Sequence, residues 1–157
     1  MKKDITLSQA LPLIEEILEE NGEVTFTPAG NSMLPLLRNR KDTIVIKKTD
    51  GKLKKYDVPL YRRADGSFVL HRVVDINSDG YIMCGDNQTE KEYFVKDEQI
   101  IAVMSSFYRR GKHILCSSAG YRIYSRVWVF IMPIRRFFRR IRSFLRKAGR
   151  KLFGKKK

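Results

Sequence analysis

The sequence predicts a mainly β protein of the α+β class: a partly open antiparallel β-barrel, with an amphipathic helix before it and a basic helical tail after it. Three observations predict this. Short runs rich in β-branched and aromatic residues recur between turn signals, among them Asp50-Gly51, Asp65-Gly66 and Asp79-Gly80. Short strands punctuated in this way point to an antiparallel sheet curled on itself. A stretch near the start places its apolar residues at helical spacing. The charge is split, with residues 1–107 holding all 17 Asp/Glu against 15 Lys/Arg and residues 108–157 holding 17 Lys/Arg and no acid. A chain of 157 residues has room for about one domain. The expected organisation is an N-terminal helix within 1–22, a β domain over 23–117 and a basic amphipathic tail over 120–157.

The opening helix is read over Leu11–Gly22. Leu13, Ile14, Ile17 and Leu18 share a face, Glu15, Glu16, Glu19 and Glu20 cover the other, and Asn21-Gly22 stops it. No long apolar stretch precedes it, so neither a signal peptide nor an N-terminal membrane anchor is expected. Strands are expected at Glu23–Thr27, Thr43–Lys47, Asp57–Arg62, Phe68–Ile76, Gly80–Cys84 and Ile100–Tyr108. Cys84 and Cys116 lack metal or redox spacing and read as reduced, buried or half-buried thiols. With no phosphate loop, repeat or metal cluster, neither a cofactor nor a metal is expected. His113 reads as a strand or turn histidine.

The tail opens with Val127–Ile134, an apolar run containing Trp128. Beyond it Phe137, Ile141, Phe144, Leu145, Ala148 and Leu152 recur at helical spacing, with Arg and Lys between them. The run is too short to span a bilayer, which takes roughly 20 apolar residues. A helix with one aromatic face and one cationic face lies instead in the interface of an anionic membrane. Trp128, Arg135, Arg136, Phe137, Arg139, Arg140, Ile141 and Phe144 are expected at that surface. So basic a tail also attracts nucleic acid. Its aromatic area exceeds what phosphate contact needs, so no specific nucleic-acid partner is expected, and the expected location is peripheral to a membrane.

Three short strings carry the chemistry. Ser32 follows the turn-prone Pro28-Ala29-Gly30-Asn31 and precedes Met33-Leu34-Pro35. Such a bend can present a hydroxyl with backbone N–H groups beside it to bind an oxyanion, although an ordinary turn serine reads the same. His71 sits mid-strand in Phe68–Ile76, where a neutral imidazole can take a proton near pH 7. Asp86, in Gly85-Asp86-Asn87, follows another strand and is the first choice for a carboxylate that orients His71. Glu90 and Glu92 follow closely. Each string alone is weak. In this order they supply the hydroxyl, imidazole and carboxylate that make serine a nucleophile.

With Ser32-Met33 followed by Pro35, the aspartate-containing strand Lys41-Asp42-Thr43-Ile44-Val45-Ile46, His71-Arg72-Val73-Val74 and Gly85-Asp86-Asn87, the chain resembles type I signal peptidases over roughly residues 24–110. Within that family it resembles the branch that uses histidine rather than lysine. The family belongs to a wider group of serine peptidases that includes the self-cleaving repressors. The resemblance implies their partly open β-barrel, Ser32 as nucleophile, His71 as general base and an important Asp86. That branch has a further aspartate at the position of Glu92, so Glu92 is the second choice for the third member. Glycine stands two residues before Ser32, where some relatives have an oxyanion-binding serine. The backbone N–H of Ser32 is therefore the expected oxyanion donor. The family normally has an N-terminal transmembrane anchor, and none is expected here.

The expected function is a serine endopeptidase resembling signal peptidase I. It would cleave signal or leader peptides by acyl transfer, on a peptide or preprotein substrate at an anionic membrane surface. The resemblance implies small residues before the cleaved bond. Two other readings stay open: a cytoplasmic peptidase that matures a small precursor, and a non-catalytic membrane- or nucleic-acid-binding protein on the same fold. The sequence leaves the oligomeric state open.

Overall fold

A computed structural model of the chain describes residues 7–20, 22–139 and 141–142. Helix α1 (Leu7–Glu19) leads into β1 (Glu23–Phe26), and a long loop carrying Ser32 connects to β2 (Thr43–Lys47). Then follow β3 (Pro59–Arg62), β4 (Phe68–Leu70), β5 (Arg72–Asn77), β6 (Gly80–Cys84) and β7 (Glu92–Val95). The long β8 (Ile100–Arg109) and β9 (Lys112–Leu115) precede α2 (Ala119–Phe130). Residues 132–139 are helical again.

The strands form two antiparallel sheets. The larger runs β1-β2-β8-β3-β4, with β9 also on β8, and the smaller runs β5-β6-β7. Alternation along β3 shows how they stack. Leu60 joins a core with Ile14 and Leu18 of α1 and with Ile44, Ile46, Ala102 and Met104. Its neighbour Tyr61 joins a second core with Val73, Tyr81, Met83 and Val95 of the small sheet. Successive strand residues point to opposite faces. The large sheet is therefore covered by α1 and the Ser32 loop on one face and by the small sheet on the other.

The α+β class and the antiparallel pairing stand as expected, but the sheets do not close into a barrel. The strand expected over Phe68–Ile76 breaks at His71, where the chain leaves one sheet for the other. Leu70 pairs with Leu60 of the large sheet, whereas Arg72 pairs with Cys84 of the small one. Val73 N–H bonds Asp57 O and Val73 O accepts from Tyr56 N–H, which holds the crossing in place. Asp65-Gly66 and Asp79-Gly80 form the expected hairpin turns, with positive φ at both glycines. Asp50-Gly51 turns the chain without making a hairpin, because β8 lies between β2 and β3. Strands β7 and β9 were not anticipated.

Helix α1 starts earlier than expected and contains Pro12. Ile14 and Leu18 are buried while Leu13 is exposed. Gly22 N–H bonds Ile17 O at 2.9 Å, and a Cβ on Gly22 would sit 2.7 Å from that oxygen, so glycine ends the helix here. Cys84 is buried and Cys116 half-buried, both as free thiols. His113 lies in β9, stacked on Tyr108.

Helix α2 belongs to the packed body. Ser118 caps it, its Oγ accepting from Tyr121 N–H. Tyr121 is part of the α1 core, and Met132 closes a third cluster with Val74, Ile82 and Cys84. The boundary drawn between 117 and 120 thus falls inside one folded unit.

Candidate functional site

Ser32 sits in a braced loop. Gly30, at φ +113°, adopts a backbone conformation that favours glycine, and its N–H bonds Asn39 Oδ1. Met33, Leu36 and Leu37 are buried in the α1 core, fixing the segment just after the serine. Buried Asp42 ties the loop's far end through Arg38, accepting from its backbone N–H at 2.8 Å and from its guanidinium. Asn87 N–H donates to Ser32 O at 2.7 Å, and Asn87 Nδ2 donates to Asn31 O at 3.1 Å. A Cβ on Gly85 would meet Ser32 O at 2.8 Å, so the Gly85-Asp86-Asn87 turn can approach the loop only with glycine there. Among the described residues, neither Ser32 Oγ nor its backbone N–H bonds a protein group.

Ser32 and His71 line the same cleft of about 260 Å³, together with Gly30, Arg63, Leu70 and Gln88. No hydrogen bond joins the two side chains. His71 is almost wholly buried. Its Nδ1 lies 2.9 Å from Glu92 Oε1 and 3.2 Å from the Tyr61 hydroxyl. An ionised carboxylate can only accept, so Nδ1 carries the proton and Nε2 is left unprotonated. Arg63 grips both Glu92 oxygens through Nε and Nη2. Burial raises the Glu92 carboxyl, but hydrogen bonds from Arg63 and Tyr61 outweigh it and hold the group below its usual range. Burial lowers the His71 pKa, the nearby Glu92 charge opposes this, and Arg63 lowers it further. The imidazole is therefore neutral at pH 7, as a general base must be.

Asp86 does not take the role first assigned to it. Its carboxylate is paired side-on with Arg72, Nε to Oδ1 and Nη2 to Oδ2 at 2.8 Å each, and also accepts from the Tyr124 hydroxyl at 3.2 Å. Arg72 donates further to Tyr56 O, the Tyr121 hydroxyl and Ser125 Oγ. The pair is buried where α2 meets the small sheet. The register of the neighbouring strand residues is the physical reason. Arg72 opposes Cys84 across β5 and β6, and Asp86 lies two residues beyond Cys84, on the same side. Val73 opposes Met83, and Met83 opposes Glu92. His71, at the break between β4 and β5, lies beside Glu92.

The residues expected at a membrane surface divide between two faces. Trp128 Nε1 donates to Asp86 O at 3.0 Å, and the Arg135 guanidinium donates to the same carbonyl while stacking on the Trp128 ring. Arg139 donates to Asn87 O and to Asn87 Oδ1. These three face the domain, not the outside, because the Gly85–Asn87 turn offers carbonyl acceptors under the helix. Arg136 is half-buried, and Phe137 and Ile141 are exposed. Arg140 and Phe144 lie outside the described residues. No described helix is long and apolar enough to cross a membrane. Among the described residues no group of His, Cys, Asp or Glu is arranged to hold a metal.

Sequence reasoning passed over Tyr61, Arg63 and Gln88. Tyr61 and Arg63 follow Leu60 in and just beyond β3, and only the sheet register shows that this stretch reaches His71. No family model matches the chain, and neither a curated protein nor a solved structure matches it.

Proposed function

We propose that this chain is a serine endopeptidase of the type I signal peptidase kind, with Ser32 as nucleophile, His71 as general base and Glu92 as the carboxylate that orients the base. The observation that carries the reading is a buried, neutral histidine whose Nδ1 is held by Glu92 and Tyr61 while its ring lines the cleft that contains Ser32. In the reaction, His71 Nε2 takes the Ser32 proton as Oγ attacks a peptide carbonyl. The Ser32 N–H, which bonds no protein acceptor among the described residues, stabilises the oxyanion. Glu92 stabilises the imidazolium that forms, and Arg63 keeps Glu92 ionised and in place. The imidazolium protonates the leaving amine, and water then frees the acyl group by the same route.

The substrate is a peptide or preprotein at an anionic membrane, where the enzyme is held peripherally by its C-terminal segment. The acid-free charge of residues 108–157 and the exposed aromatic residues of that segment support this placement. The test is labelling by a fluorophosphonate, which reacts with activated serines. Wild type is expected to be labelled at Ser32, while Ser32→Ala and His71→Ala are not. Equal labelling of wild type and Ser32→Ala removes the peptidase reading.

A further inference from the structure

The C-terminal segment has two faces with different tasks. Ile123, Val127, Phe130, Ile134, Phe137 and Ile141 recur at alternating spacings of four and three, and all are 40–79% exposed. That spacing makes one continuous apolar stripe along a helical path. The path survives Pro133, since Ile131 N–H bonds Val127 O and Arg135 N–H bonds Ile131 O. Arg122 and Arg126 are exposed beside the stripe, and no acid occurs after Glu98. Arg135 Nη1 and Arg136 Nε are buried and have no hydrogen-bond partner among the described residues. An exposed apolar stripe with cations and no acid beside it is complementary to an anionic lipid surface, whose headgroup phosphates are acceptors. Nucleic acid would satisfy the cations but leave the stripe in water.

The opposite face of the same segment reaches the nucleophile through two short links. Trp128, Arg135 and Arg139 hold the carbonyls of Asp86 and Asn87. Asn87 in turn holds Ser32 O and Asn31 O. We infer that the segment is a membrane-seated brace: docking its apolar stripe on an anionic bilayer fixes Trp128 and Arg139 on the Asp86–Asn87 turn, and thereby fixes the Ser32 loop. Arg139 and Trp128 are positioning residues in this account, since they touch the turn and not the reacting atoms. The proposal rests on the membrane-peptidase reading for its purpose but not for its test. Ordering of one face by a ligand on the other is coupling carried by local stability.

Amide hydrogen exchange on the full chain tests it, with phosphatidylcholine vesicles that contain or lack phosphatidylglycerol. Anionic vesicles are expected to slow exchange several-fold at residues 31–37 and 85–88, far from the lipid, and neutral vesicles to do less. High salt should weaken the effect. Arg139→Ala should still bind anionic vesicles, which sedimentation reads, yet lose the slowing at 31–37. Arg139→Lys should restore part of it. The pair Phe130→Ser and Phe137→Ser should lose binding and slowing together. Binding without any change at 31–37, equal slowing in Arg139→Ala, or no binding by wild type each overturns the brace. Fluorophosphonate labelling in parallel separates the two claims. Slowed exchange without any labelling of Ser32 keeps the brace and removes the peptidase, and labelling without slowing does the reverse.

Discussion

His71 and Arg72 are chain neighbours, and each faces a carboxylate, yet the two pairs differ in what surrounds them. Arg72 and Asp86 are both sealed from water, and four donors and acceptors, Tyr56 O from the loop before β3 and Tyr121, Tyr124 and Ser125 from α2, close around them. His71 lines the cleft that holds Ser32, and the Glu92 side chain beside it is 28% exposed. A sealed pair can hold elements together but cannot exchange a proton with a substrate. A histidine at a cleft can do so, because only one imidazole nitrogen is committed to the carboxylate. One short string, His71-Arg72, therefore supplies a cleft-lining imidazole and, next to it, a clamp for the C-terminal helix.

Breaking the sealed pair should have the largest effect, and it should fall on stability. Asp86→Asn leaves Arg72 buried without its charge partner, a loss of about 3–5 kcal/mol. Urea denaturation should show it as a lower midpoint. Replacing both partners by apolar residues, Arg72→Met with Asp86→Leu, should recover much of the loss. Deleting the chain from residue 120 should be at least as damaging, since it removes Tyr121, Tyr124 and Ser125 from the pair.

Breaking the cleft pair should fall on activity instead. Glu92→Gln should lower kcat/KM by roughly 10²–10⁴-fold, as expected when a general base loses the group that orients it and stabilises its charged form. The urea midpoint should move little, because the Glu92 side chain is partly exposed and such pairs contribute about 1 kcal/mol or less. A variant that loses both equally would erase the distinction between the pairs.

The pH dependence sharpens the comparison. The His71 pKa lies below its usual 6.5 through burial, so the unfolded chain binds its proton first as pH falls. Its share of stability is complete above about pH 6.5 and is lost as pH falls from there through the lower native value. Activity should follow the native value and so survive somewhat below pH 6.5 before it falls. Glu92 is held below its usual 4.5 despite burial, through Arg63 and Tyr61. Its share is complete above that value and is lost only at lower pH still. Stability and activity profiles on one sample should show the acid limb of activity below pH 6.5.

Tyr61→Phe should give the smallest change. It removes one hydrogen bond to His71 Nδ1 and one to Glu92 while leaving the ion pair, at about 0.5–1.5 kcal/mol. A few-fold loss of kcat/KM with little change in fold is expected.

The strings around Ser32, His71 and Asp86 were legible in the sequence because their turn and strand signals are local. Gly30, Asp65-Gly66 and Asp79-Gly80 are used as their residue types suggest. The choice between Asp86 and Glu92 was not local. It depends on which β6 residue opposes Arg72 and on β7, whose Glu92 follows the charged run Glu90-Lys91 that reads as loop. The division of labour in the tail was hidden for a similar reason. Periodicity finds an apolar stripe, but not that Trp128, Arg135 and Arg139 meet carbonyls on a distant turn. That the sheets stay open and separate could not be read from strand spacing, because β4 and β5 look like one strand until Leu70 and Arg72 are seen to pair in different sheets.

The most direct measurement is the titration of the His71 imidazole by NMR. The chain has only two histidines, so a His113→Gln background leaves a single signal. Glu92 raises the His71 pKa by its charge and hydrogen bond, so Glu92→Gln should move the titration to clearly lower pH, while Asp86→Asn should move it much less. If Asp86→Asn, in a sample that remains folded, shifts His71 as far as Glu92→Gln or further, then Asp86 is the partner of the base and the assignment of the two carboxylates is wrong.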